Sequence, residues 1–215
     1  MPPMAQLLDI VATARKYDHG SGVSEDEWNS EVQNPLLKLA RNTSTHRQTL
    51  DMHNVKTARI EPASLARSTL PGRVVDYVIA LNPDLALKYI YQIVEPHHPC
   101  PPQSNCHQYR DQWPHEVVDG WKPQIAIWTG AWLRRLAHIK GNSNGQWPAF
   151  PLLIAQGHDW HLLIVSKNDQ MTIWEQVDIG STRSCFDALK VVAILHWLMD
   201  WAERVWRPWL LSSPD

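Results

Sequence analysis

The chain has 215 residues, 44% of them hydrophobic and 20% charged, and 22 acidic against 20 basic side chains give a formal net charge of −2. This is the composition of a globular protein able to build one sizeable core. It argues against a surface that holds nucleic acid by displacing counterions, and there is no apolar run of about 18 residues to cross a membrane. The opening MPPMAQLLDIVATARKYDHG lacks the charged start and apolar run of a secretory leader, and three cysteines are an odd number for a disulfide framework. Both features lead to the expectation of a cytoplasmic protein in a reducing compartment.

Residues 1–20 read as an N-terminal segment, helical over 1–17 and loosely attached, ahead of a single domain over 21–215. In GSGVSEDEWNSEVQNPLLKLARN, Ser24 stands where a helix cap belongs, and Glu27 three residues on completes a capping box. Trp28, Val32, Leu36, Leu37 and Ala40 repeat at helical spacing, and Pro35 predicts a kink or break among them. NVKTARIEP reads as an edge strand or a loop. RVVDYVIALNP is the clearest strand, β-branched and apolar, with Asp76 interrupting its run and Asn-Pro ending it. DLALKYIYQIV, at 84–94, returns to a helical period.

EPHHPCPPQSNCHQYRDQWPHE, at 95–116, is too rich in proline to continue that helix. A long helix then begins near Pro123, with Gln124, Ile127, Trp128, Ala131 and Leu136 along one side. FPLLIAQ, the turn GHD and WHLLIVSK predict a hairpin, and QMTIWEQVDIG a third strand. A tryptophan-rich helix closes the chain, with Ser181 or Thr182 at its cap. With no internal repeat and no linker, the pattern predicts one α/β domain, a small sheet between helices.

Three features bear on chemistry. His97, His98, Cys100, Cys106 and His107 offer enough ligands for a zinc ion, but they crowd one loop instead of forming two short-spaced pairs. Asp76 is an acid in an apolar strand, so either a cation or helix end satisfies it or it faces a cleft as a metal ligand or general base. Twelve tryptophans outnumber five tyrosines and two phenylalanines, supplying rigid flat surfaces for a core or for a pocket. Cys185, at a helix start, reads as structural. No P-loop, G-x-S-x-G, G-x-G-x-x-G or H-E-x-x-H pattern occurs.

Taken in order, EDEWNSEVQNPLLKLA, KTARIEP, VDYVIALNP, SNCHQYR, QIAIWTGAW, PLLIAQGHDWHLLIV and IGST resemble the fungal branch of the PD-(D/E)XK nuclease-like proteins. The resemblance runs from about residue 24 to 210 and implies a restriction-endonuclease-like core: a small mixed sheet flanked by helices, with a metal-dependent nuclease site in the ancestor. It implies that Asp76 is the strand-end acid of that site, that Gln124 is the helix glutamine, and that Glu27 or Glu31 assists from the first helix. The following strand of the family carries Glu-x-Lys, whose acid shares the metal and whose lysine steadies water or phosphate.

Here the chain departs from the pattern. Only DQWPHEVVDGWKP separates SNCHQYR from QIAIWTGAW, too short and broken for that strand and its turn. Two residues before the eight lysines stand Ala14, Leu36, Asn54, Ala86, Gly120, His138, Val165 and Ala188, so no [D/E]-x-K exists in the chain. Glu116 or Asp119 with Lys122 would have to substitute from a loop, where carboxylates are hard to fix.

The expectation is therefore a repurposed enzyme, independent of metal and cofactor, that cyclises, isomerises or dehydrates a small organic molecule by acid–base catalysis. Asp76 and His107 would be its catalytic residues, and Tyr109, Trp113, Gln124, Trp128 and His161 its substrate contacts. A pseudonuclease that binds protein or nucleic acid without cutting is the alternative, and a metal-dependent nuclease with a relocated acid the second alternative.

Overall fold

The computed structural model describes residues 3–18, 22–55, 76–94, 122–140, 147–168, 170–174 and 176–212. Of the expected strand or loop at 54–62 all but the first two residues, and the whole histidine- and cysteine-bearing stretch at 95–116, lie outside these residues. Cα packing divides the chain into two units. The first comprises Met1–Met52, Ile79–Asn82 and Trp147–Pro208; the second comprises His53–Val78, Pro83–Gln146 and Trp209–Asp215.

In the first unit, helix α1 (Met4–Asp18) buries Leu7, Ile10, Val11 and Ala14, a stripe at the 3–4 residue spacing of one helix face. It packs on α3 (Asn34–Thr43) and on α6 (Cys185–Trp201), so this segment is part of the core and not a loose appendage. Helix α2 (Glu25–Trp28) opens as its sequence predicts: Ser24 is extended, and its side chain accepts a hydrogen bond from the Glu27 N–H at 3.2 Å. The disruption expected at Pro35 takes the form of a π-helical turn, Asn29–Gln33, in which the Asn34 N–H reaches back to the Asn29 carbonyl. The widened turn removes the clash that proline makes with a carbonyl four residues earlier. Pro35 then sits in the first turn of α3, where a missing N–H costs nothing.

The sheet of this unit is antiparallel in all its described pairings. Strand β3 (Phe150–Gln156) pairs with β4 (Asp159–Lys167) from Phe150↔Val165 to Gln156↔Asp159. Gly157, at φ +56°, and His158 make the two-residue turn. The single further strand expected from QMTIWEQVDIG is two. Strand β5 (Met171–Ile173) pairs with β4 at Val165–Lys167, and β6 (Val177–Ser181) pairs with it at Asp159–Leu162. Nine residues of β4 thus take two short partners end to end, with a bulge between Trp160 and His161 in the middle of the pairing with β6.

Helix α6 buries Ala188, Val191, Val192, Leu195, Leu198 and Met199. Its cap is Ser184, not Ser181 or Thr182; the Ser184 hydroxyl accepts from the Asp187 N–H at 3.1 Å and donates to the Asp187 carboxylate at 2.8 Å. Thr182 is fully buried and bonded to His158 instead. The His196 ring Nε2 lies 2.9 Å from the Ala40 carbonyl and 3.0 Å from Thr43 Oγ1. A carbonyl only accepts, so this nitrogen carries the hydrogen and pins α6 to α3. A second π-helical turn, Ala202–Trp206, leads into α7 (Arg207–Leu211), and Trp206 packs edge-on against Phe150 and stacks on Trp201.

Strands β1 (Leu50–Asn54) and β2 (Tyr77–Leu81) form a separate two-stranded sheet. The Asn82 N–H bonds the Thr49 carbonyl at 2.7 Å and the Val55 N–H bonds the Asp76 carbonyl at 2.9 Å, which makes the pair antiparallel. In the second unit α4 (Leu85–Val94) packs on α5 (Lys122–Lys140). Pro123 lies in the first turn of α5, and Ala126, Ala131, Leu133 and Leu136 are buried along it. Lys140, 4% exposed, donates to the carbonyl and hydroxyl of Ser212, closing the end of α7. No described helix is long and apolar enough to cross a membrane.

Gly180 sits at φ +133°, and a Cβ there would stand 2.7 Å from the Asp187 carbonyl oxygen. Gly180→Ala is expected to cost about 2 kcal/mol or more, because both backbone conformation and contact are violated. Ser184→Ala is expected to cost about 1 kcal/mol by stripping the cap from α6. Urea unfolding of the full chain measures both.

Candidate active site

Asp76 directly precedes β2 and does not interrupt it. Its backbone is held to the far end of β1 by the Val55 N–H, and the residue is half-buried. At a strand end a carboxylate keeps part of its hydration, so the severe cost expected for an acid inside an apolar strand does not arise. Gln124 falls in the first turn of α5, and Trp128, one turn further on, is half-buried. Asp76, Gln124 and Trp128 all belong to the second unit. His161 belongs to the first, on β4 at the bulge, paired with Ile154 and Asp178; its Nδ1 is buried without a hydrogen bond. His107, Tyr109, Trp113, Glu116 and Asp119 lie outside the described residues, and Lys122 opens α5.

The first unit carries an open groove of about 430 Å³ lined by Asp159, Asp178, Gly180, Arg183, Asp187 and Lys190. Its two cations are already matched: Arg183 with Asp159, and Lys190 with Asp187 at 2.7 Å. Both pairs are solvent-exposed, so their charges are screened, and neither cation is left over for an anionic ligand. The groove is polar and lacks the apolar walls of a small-molecule cleft.

One buried histidine gave no signal in the sequence. His158, in the β3–β4 turn, is 3% exposed, and its Nδ1 lies 2.9 Å from the Thr182 hydroxyl. Its ring meets Trp28 edge-on at 4.9 Å, and its Nε2 is 3.6 Å from the Asp18 carboxylate without a hydrogen bond. A histidine in a Gly-His-Asp turn reads as exposed; only its distant neighbours bury it.

A mixed α/β chain whose antiparallel sheets are flanked by helices is consistent with a restriction-endonuclease-like core. The family model of the PD-(D/E)XK nuclease superfamily matches residues 1–207, and the chain belongs to that superfamily. No curated protein and no solved structure matches it.

The superfamily pattern implies a divalent metal held by an Asp and by the acid of Glu-x-Lys. The first was expected at Asp76, which the structure places directly before β2. No acid stands two residues before any lysine of the chain, so the Glu-x-Lys pattern itself does not occur. Among the described residues no three His, Cys, Asp or Glu side chains group around a common point either.

Proposed function

We propose that this superfamily member has left metal-dependent phosphodiester hydrolysis and acts on a small organic molecule by acid–base catalysis. The observation that carries the reading is a retained half: Asp76 stands half-buried at the start of β2, while the chain contains no [D/E]-x-K. Clamping a metal on a phosphodiester takes more than the one acid that the pattern retains here. A single carboxylate can still take a proton from carbon or oxygen, or orient a histidine that does so.

In this reading Asp76 is the base or the orienting acid, and His107 transfers the proton near neutral pH. Tyr109 or Gln124 holds a carbonyl oxygen, and Trp113 and Trp128 supply flat apolar walls that exclude water from the transfer. Cyclisation, isomerisation and dehydration need no redox cofactor and are served by such a set once the substrate is held in a reactive conformation. They are reactions of the kind a fungal natural-product pathway employs. The slight excess of acidic over basic side chains also favours a small-molecule substrate over a polyanion.

The test is untargeted metabolite profiling of the host with the gene deleted and then restored as wild type, Asp76→Asn or His107→Ala. The reading predicts that the deletion and both variants accumulate one compound whose product is an isomer of it or differs by one water. An unchanged profile in the deletion, or full rescue by both variants, would overturn it.

A further inference from the structure

The β3–β4 turn meets three other parts of the first unit at one side chain. His158 touches Trp28 at the end of α2, faces Asp18 at the end of α1, and bonds Thr182 on the link from β6 to α6. Two more ties converge on the same place. The Thr182 N–H donates to the His158 carbonyl at 3.0 Å, and the Arg15 guanidinium of α1 donates to the Arg183 carbonyl at 2.9 and 3.0 Å. We propose that His158 is an acid-sensitive joint: neutral, it locks the hairpin turn to α1, α2 and the α6 link, and protonated, it loosens that junction.

The geometry sets the sense of the switch. A neutral imidazole needs a partner for one nitrogen's hydrogen and can leave the other bare; the Thr182 hydroxyl serves Nδ1, and Nε2 is buried without a hydrogen bond. Protonation puts a hydrogen on both nitrogens and a charge on a side chain that is 3% exposed. The only carboxylate facing Nε2 among the described residues is Asp18, at 3.6 Å, too far for a hydrogen bond and itself 54% exposed.

The other charges around the joint divide. Arg183 opposes a second positive charge, although Asp159 neutralises part of it; Glu27 and Glu31 act on Tyr17, which packs on the far side of Trp28. Burial first, then Arg183, hold the imidazole pKa below its ordinary value, against the pull of Asp18, Asp159 and Thr182. A histidine with a lowered folded pKa binds its proton more readily when the junction is open. Closure is therefore favoured above the ordinary histidine pKa of about 6.5, and weakens as pH falls from there toward the folded value.

Hydrogen exchange of the full chain, corrected for intrinsic rates, reads the joint directly. Opening of the amides of Arg15–Asp18 and Trp28 is expected to rise on the order of five-fold between about pH 7.5 and about 5.5, with the α6 core unmoved. His158→Gln, which cannot titrate, should flatten that response, and His158→Phe should do so if glutamine repacks poorly. Asp18→Asn should steepen it, because the carboxylate that faces Nε2 is gone. The ring C–H resonance of His158 should titrate below its ordinary range. A flat wild-type response, an equal response in both His158 variants, or a resonance titrating at or above about 6.5 would overturn the proposal.

Discussion

The first unit is organised by how closely β6 and α6 approach. Gly180 has no Cβ, and the 2.7 Å that such an atom would leave to the Asp187 carbonyl shows that strand and helix backbone meet without a side chain between them. From that contact α6 runs with Ala188, Val191, Val192, Leu195, Leu198 and Met199 buried beneath it. Each large apolar side chain fully buried this way contributes about 1.5–3 kcal/mol. Helices α1 and α3 pack on α6, and His196 ties α3 to it through the Ala40 carbonyl. The hairpin joins through Thr182 and His158, so the placement of four elements follows from one glycine and one helix face.

Much of this was legible because the signals were local. Ser24 and Glu27 mark a cap whatever surrounds them, Pro35 forces a change of helical geometry, and the run from Phe150 to Lys167 sets two apolar stretches on either side of a glycine turn. Strand β1 was not legible: LDMHN has no β-branched residue, and it becomes a strand because β2 supplies its hydrogen bonds. The split of β5 from β6 and the choice of Ser184 as cap are likewise set from outside. Thr182 is withdrawn from capping by a buried histidine 24 residues away.

The site divides in the same way. Asp76 could be picked from the sequence because an acid in an apolar run is conspicuous, and the structure places it directly before β2. His158 could not be, since its burial depends on Trp28 and Asp18, far away in sequence. Membership of a nuclease superfamily fixes the scaffold and leaves the chemistry to particular side chains. In the function proposed here Asp76 acts as an acid–base group and not as a metal ligand, in a chain that has no Glu-x-Lys.

The most direct test of that account is a Mn²⁺ titration by calorimetry, run on the wild-type chain and on Asp76→Ala, with cleavage of plasmid DNA followed in the same samples. The account predicts no stoichiometric Mn²⁺ site that depends on Asp76 and no Mn²⁺-dependent cleavage. One equivalent of Mn²⁺ bound by the wild type, lost in Asp76→Ala together with DNA cleavage, would contradict it.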